Sequence, residues 1–164
     1  MKIKIYLLAI FVFTFFPNLE IRADTIFFDS KNIQIEEEGN MIYSLKGIAK
    51  IPSQKIIVEG DKSKYNKLIS ELVIIGNVKF FDNLNDVYIE SEKAIYNEID
   101  NTILTQGQTF VKIEEKYEIF SQNILYNRNS MEVLSKSDTK AYDDMNNIYN
   151  FNDGFLLDTI SEVI

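Results

Sequence analysis

From residue 25 onward, apolar and polar residues alternate with a period of two, the pattern of strands with one buried face and not of helices at 3.6 residues per turn. The clearest stretch is Lys55 to Phe81, and its pattern returns twice. The Tyr65-Asn66 pair recurs at Tyr96-Asn97 and Tyr126-Asn127, steps of 31 and 30 residues. Ile56 and Val58 become Val87 and Ile89, then Tyr117 and Ile119, each pair followed by a small residue at Gly60, Ser91 or Ser121. In the second half of the unit, Leu72, Ile74, Gly76, Val78 and Phe80 become Ile103, Thr105, Gly107, Thr109 and Val111, then Val133, Ser135, Ser137, Thr139 and Ala141. The chain is therefore an array of two-strand units, each about 30 residues long.

Within the first strand of each unit the alternation slips by one residue, at Asp61-Lys62, Glu92-Lys93 and Gln122-Asn123. An extra residue at each place predicts a bulge that bends the strand. Asn66 to Glu71, Asn97 to Asn101 and Asn127 to Ser130 are turns inside units; Asp82 to Asp86, Glu114 to Lys116 and Asp143 to Asn147 are turns between them. Upstream, Thr25 to Ile35 reads as a degenerate strand ending at Glu36-Glu37-Glu38-Gly39-Asn40. Met41 to Ile51 follows, with Tyr43, Leu45, Gly47, Ala49 and Ile51 on one face, and Pro52-Ser53 ends it. Thr25 to Ile51 is thus an imperfect first copy. Two architectures fit this array: an antiparallel meander wound into a jellyroll or taco-like slab, and a parallel β-helix. Hairpin-sized turns and long strands favour the first, and a stacked Asn66, Asn97, Asn127 series would suit the second.

Met1 to Ala23 has the form of a secretory signal peptide: Lys2 and Lys4, an apolar run from Ile5 to Phe16, a Pro17-Asn18 break and Ala23 at the cleavage position. The alternatives are an uncleaved anchor, for which the run is short, and a core helix, which the basic start and polar break disfavour. Residues 1–23 hold three of the 17 basic and one of the 25 acidic residues, so the mature chain carries a net charge of −10. That balance excludes nucleic acid or an anionic membrane surface as an electrostatic partner. With 164 residues the default is one domain, here 24–164, and 46% apolar residues with only 2 Pro and 6 Gly describe a folded one. The absence of Cys and His removes thiol nucleophiles, histidine-based triads, disulfides and the common zinc ligand sets. The abundance of Asn, Lys and Ile has the look of an AT-rich genome. Glu162-Val163-Ile164 aligns with Glu132-Val133-Leu134, which predicts that the sequence stops inside a strand, as a truncated reading frame or the N-terminal part of a longer protein would.

Gly76-Asn77-Val78 after an apolar run, Glu90-Ser91-Glu92-Lys93-Ala94-Ile95-Tyr96-Asn97, and Thr105-Gln106-Gly107 at the next equivalent position give residues 25–164 a resemblance. They resemble the organic-solvent-tolerance (OstA-like) family, which includes a periplasmic bridge protein and the N-terminal domain of an outer-membrane lipopolysaccharide-assembly protein. The resemblance implies an antiparallel β-jellyroll in the periplasm of a diderm bacterium. Its apolar inner face would carry the acyl chains of lipopolysaccharide, with neighbouring modules joined edge to edge. It further implies outer-membrane association if the chain continues into a barrel. It implies no catalysis and no cofactor.

On that reading the lining of the lipid groove is Ile56, Val58, Tyr65, Leu72, Ile74, Val78, Phe80, Val87, Ile89, Tyr96, Ile103, Val111, Ile119 and Tyr126. The same alternation also builds an ordinary dry core, as in a structural β-solenoid of the envelope that binds nothing. Gly60, Ser91 and Ser121 on this face accommodate the bulges, and Tyr65, Tyr96 and Tyr126 cover the core edge with hydroxyls directed to water. The acidic runs Glu36-Glu37-Glu38 and Asp143-Asp144 read as solvated turns, without the oxygen-ligand spacing of a calcium loop. A β-helical polysaccharide lyase would need acids and a Lys or Arg converging on one cleft, whereas these acids are scattered over turns.

Overall fold

The computed structural model describes residues 25–160; the signal-peptide and chain-end expectations lie outside them. Among the described residues twelve strands form one antiparallel sheet: β1 (Phe27–Glu36), β2 (Met41–Ile51), β3 (Ile56–Asn66), β4 (Glu71–Asp82), β5 (Val87–Asn97), β6 (Thr102–Ile113), β7 (Tyr117–Gln122), β8 (Leu125–Asn127), β9 (Glu132–Ser135), β10 (Thr139–Asp143), β11 (Ile148–Phe151) and β12 (Phe155–Asp158). The protein is all-β and jellyroll-like, and the parallel β-helix is ruled out because every pairing is antiparallel. The repeated asparagines explain why. Instead of stacking, Asn66, Asn97 and Asn127 each accept the backbone N–H two residues on, from Leu68, Ile99 and Asn129 at 3.0, 2.9 and 2.9 Å. Each amide closes its own hairpin, so the chain reverses at the end of every strand.

The sheet is a meander creased across its middle. At the crease the register shifts between Glu59 and Lys62, Ile75 and Val78, and Ser91 and Lys93, but the extra residue lies on the partner of the strand that slips. β4 and β6 carry one residue more through the crease than β3 and β5, so the expected bend is present and the bulges sit in β4 and β6, not at the slips in β3 and β5. Beyond β6 the crease breaks strands outright: β7 and β8 lie along one partner, β6, as two halves of a single pass. β9 with β10, and β12 with β11, repeat that division. The alternate passes bend differently. Gly76 and Asn77 take φ of +80° and +48°, and Gly107 takes +86°, a left-handed region open to glycine at little cost. In β4, two residues occupy the bend, so Leu72 and Ile74 share a face with Val78 and Phe80 and the alternation shows no slip.

The crease separates a tyrosine half-sheet, carrying Tyr65, Tyr96 and Tyr126, from a phenylalanine half-sheet, carrying Phe28 and Phe80. The two fold face to face. The Phe80 and Tyr96 rings meet at 6.0 Å between centroids and the Phe28 and Tyr65 rings at 6.3 Å. The first copy departs from the expected face. Ile42 and Ser44 stand opposite Tyr65 and Ser63, so Tyr43 and Leu45 point outward while Gly47, Ala49 and Ile51 point in. β2 therefore slips as β3 does, at Lys46, whose φ is +48°.

Gly60 sits at the crease, against Ile74. A Cβ there would lie 2.3 Å from Ile74 Cγ2, a methyl on a stiff β-branched side chain. Gly60→Ala is expected to lower stability by about 1–3 kcal/mol in urea denaturation. Adding Ile74→Leu, which has no γ2 methyl, should recover part of the loss; an unchanged midpoint for Gly60→Ala would contradict this geometry.

Candidate functional site

The fourteen residues read as a groove lining all lie on the inner face, and each is at most 4% exposed. On the tyrosine half, Tyr65, Leu72, Tyr96, Ile103 and Tyr126 form one cross-strand row, with Ile74 in the row beside it. On the other half, Val58, Phe80, Ile89, Val111 and Ile119 form a second row, flanked by Ile56, Val78 and Val87. The half-sheets bring these rows together as one closed apolar layer, extended by Ala94, Ile124, Val133, Phe155 and Leu157.

The layer is open at one edge. By register, Ile35 continues the tyrosine row beyond Ile42, and Ile33 continues the next row beyond Ser44. These two isoleucines are 63% and 46% exposed, because β1 has no half-sheet opposite its second half to cover them. Ile26 and Phe28 are partly buried against the core at the same end.

Along the long rim, where hairpin tips of the two halves meet, the interior is sealed by a polar cluster. Arg128, from the β8–β9 turn, donates through Nε to Asp82 Oδ2 at 2.7 Å and through Nη2 to Asp82 Oδ1 at 3.2 Å. Nη1 reaches Gln54 Oε1 and Asn101 Oδ1, both at 2.8 Å, and Nη2 also reaches the Gln54 carbonyl at 3.2 Å. All five guanidinium N–H groups are thus matched to acceptors. Asp82 further accepts from Asn85 Nδ2 at 2.8 Å and from the Tyr126 hydroxyl at 3.2 Å, and the Tyr96 hydroxyl lies against Gln54 and Asn101. The pair is buried on both sides.

The electrostatics follow from that packing. Burial alone would raise the Asp82 pKa; the hydrogen bond and charge of Arg128, with Asn85, outweigh it and hold the carboxyl below its usual range. Burial would likewise lower Arg128, but its bond to Asp82 keeps it firmly protonated. Burial pushes the Tyr96 and Tyr126 phenols well up, so both act as neutral hydroxyls. Tyr65 behaves the same way and donates to Glu98 at 2.6 Å. The three tyrosine hydroxyls therefore end on protein acceptors, not on water as their place in the pattern suggested.

Neither partner of the ion pair stood out in the alternation. Asp82 has the look of the turn that follows it, yet it is the last residue of β4 and lies in a cross-strand row with Ile51, Ile56, Val87 and Ile113. The available signal was the departure from the repeat. Position 82 carries an acid where the neighbouring copies carry Ile51 and Ile113, and Arg128 is the only arginine after residue 22. Of the acidic runs, Glu37, Glu38 and Asp144 are exposed turn residues and Glu36 is the exposed last residue of β1, whereas Asp143 ends β10 half-buried and accepts from Met145 N, Asn147 and the Tyr149 hydroxyl. Among the described residues no group of three or more potential metal ligands is assembled. No protein-family model matches the chain, and no curated protein is significantly similar to it.

Proposed function

We propose that the protein is a periplasmic lipid-transport module that takes the acyl chains of lipopolysaccharide between its two half-sheets and passes them toward the outer membrane. The observation that carries this reading is the continuity of the tyrosine row with the exposed Ile35, beside which Ile33 is also exposed. A chain seated on Ile35 meets aliphatic side chains and tyrosine rings along the tyrosine row, whose hydroxyls are already bonded to protein acceptors. The acidic surface, with net charge −10 after residue 23, favours recognition of the acyl part over the phosphates. Among the described residues β1, β11 and β12 each pair on one side only, so their outer edges offer backbone groups for strand addition to like modules.

A photo-crosslinking side chain at Ile35, Ile74 or Ile89, in cells making lipopolysaccharide, is expected to trap the glycolipid. Absence of an adduct at all three positions would reject the proposal. The second reading is a structural envelope protein with a permanently dry core, favoured by the burial of all fourteen inner residues. It requires that no adduct form even at Ile35.

A further inference from the structure

We propose that the Arg128–Asp82 cluster is a releasable clasp, and that its opening admits an acyl chain from the exposed β1 end into the closed interior; this rests on the lipid-transport reading above. The clasp ties three tip segments of the sheet to a fourth. Gln54 follows β2 and Asp82 ends β4, both on the phenylalanine half, while Asn101 and Arg128 lie in turns of the tyrosine half. It therefore spans the rim midway along the slab, beyond the open end at Ile33 and Ile35. A chain entering there can advance past β3 only if the halves part, because from Tyr65 onward the inner rows are in contact across the layer.

The chemistry of the closure suits release better than permanence. An apolar residue at position 82 would continue the row of Ile51, Ile56 and Val87, and with an apolar partner at position 128 it would seal the rim without desolvating charge. In place of these stand a buried carboxylate, where the neighbouring copies carry Ile51 and Ile113, and the only arginine after residue 22, each meeting the other. A charged pair is stable in two environments, paired when the rim is closed and hydrated when it is open, whereas an apolar seal is stable only closed. The crease supplies the hinge: its left-handed bends at Gly76, Asn77 and Gly107 interrupt the ladder between the halves.

The test exploits the absence of native cysteine. Spin labels at Leu84→Cys and Ile99→Cys, exposed tips of opposite halves, report their separation by pulsed electron resonance. In the parent chain one short distance is expected. Asp82→Asn should add a longer component, and Asp82→Leu with Arg128→Met should restore the single short one. Uptake of cis-parinaric acid, a fluorescent polyene fatty acid, should be faster in Asp82→Asn by about tenfold, the ratio that loss of a charged hydrogen bond gives, and slower than the parent in the apolar pair. If Asp82→Asn does not fold, Arg128→Lys, which keeps the charge without the five-donor fork, makes the same comparison. Unchanged distances in the folded variant, or an apolar pair that takes up the probe at the parent rate, would overturn the clasp. Distances that respond as stated while no chain binds the probe would uphold the clasp and remove the lipid reading instead.

Discussion

Asp82→Ala is expected to lower the unfolding free energy by about 3–5 kcal/mol, read as a shift of the urea midpoint. The large effect comes from what is left behind: Arg128 keeps its place under the rim with its charge buried and both bonds to a counter-charge lost. The double change Asp82→Leu with Arg128→Met should restore most of that stability, because the desolvated charge goes with its partner. The pH dependence has a definite sign. Asp82 has a folded pKa below its usual 3.8, so the unfolded chain binds more protons in the interval between the two values. Its contribution is complete above the unfolded value and is lost as pH falls through the folded one. Below pH 3.8 the parent should therefore lose stability more steeply than the apolar double variant. Parallel acid titrations of the two would contradict the assignment.

The second large effect is expected at Phe80. Its side chain is fully buried and rests on Tyr96 of the opposite half, so truncation opens a cavity in the layer that holds the halves together. Phe80→Ala should destabilise the fold by about 3–5 kcal/mol. Phe120 provides the control: it is 45% exposed, on the outer face, in a line of rings with Phe110 and Tyr142. Phe120→Ala should cost clearly less in the same urea experiment, and equal losses at the two positions would invalidate the inward and outward assignment.

Much of this architecture was legible because a period of two leaves little freedom once turns are placed. The slips at Asp61-Lys62, Glu92-Lys93 and Gln122-Asn123 marked the crease, since a one-residue slip must either bend the strand or turn the apolar side chains to water, but they did not show that the extra residue sits in the partner strands β4 and β6. The two-residue bends at Gly76-Asn77 conserve phase and so left no mark in the alternation. β2 departs from its expected face for a related reason: one unbroken alternation over Met41 to Ile51 would turn Tyr43 and Leu45 inward, whereas the strand slips at Lys46 in the manner of β3. The clasp was hidden for a different cause. Its partners lie 46 and 74 residues from Arg128, and no local pattern reports which tips a folded slab will press together. That all fourteen inner residues fill a closed layer also depends on how far the halves fold over, which alternation does not encode.

The difference in chain separation bears on the order of folding. Each long strand pairs with its neighbour across a short turn, so the sheet grows by cheap local steps, like a zipper extending from any formed hairpin. The clasp must instead close a loop of 46 residues between Asp82 and Arg128 and of 74 between Gln54 and Arg128, which loop entropy places after the strands it joins. During the interval before closure, a finished sheet presents its entire apolar face to solvent. The vulnerable species in biogenesis is accordingly not the unfolded chain but the flat, unclosed sheet, and the rate of closure sets how long that face needs shelter from other chains.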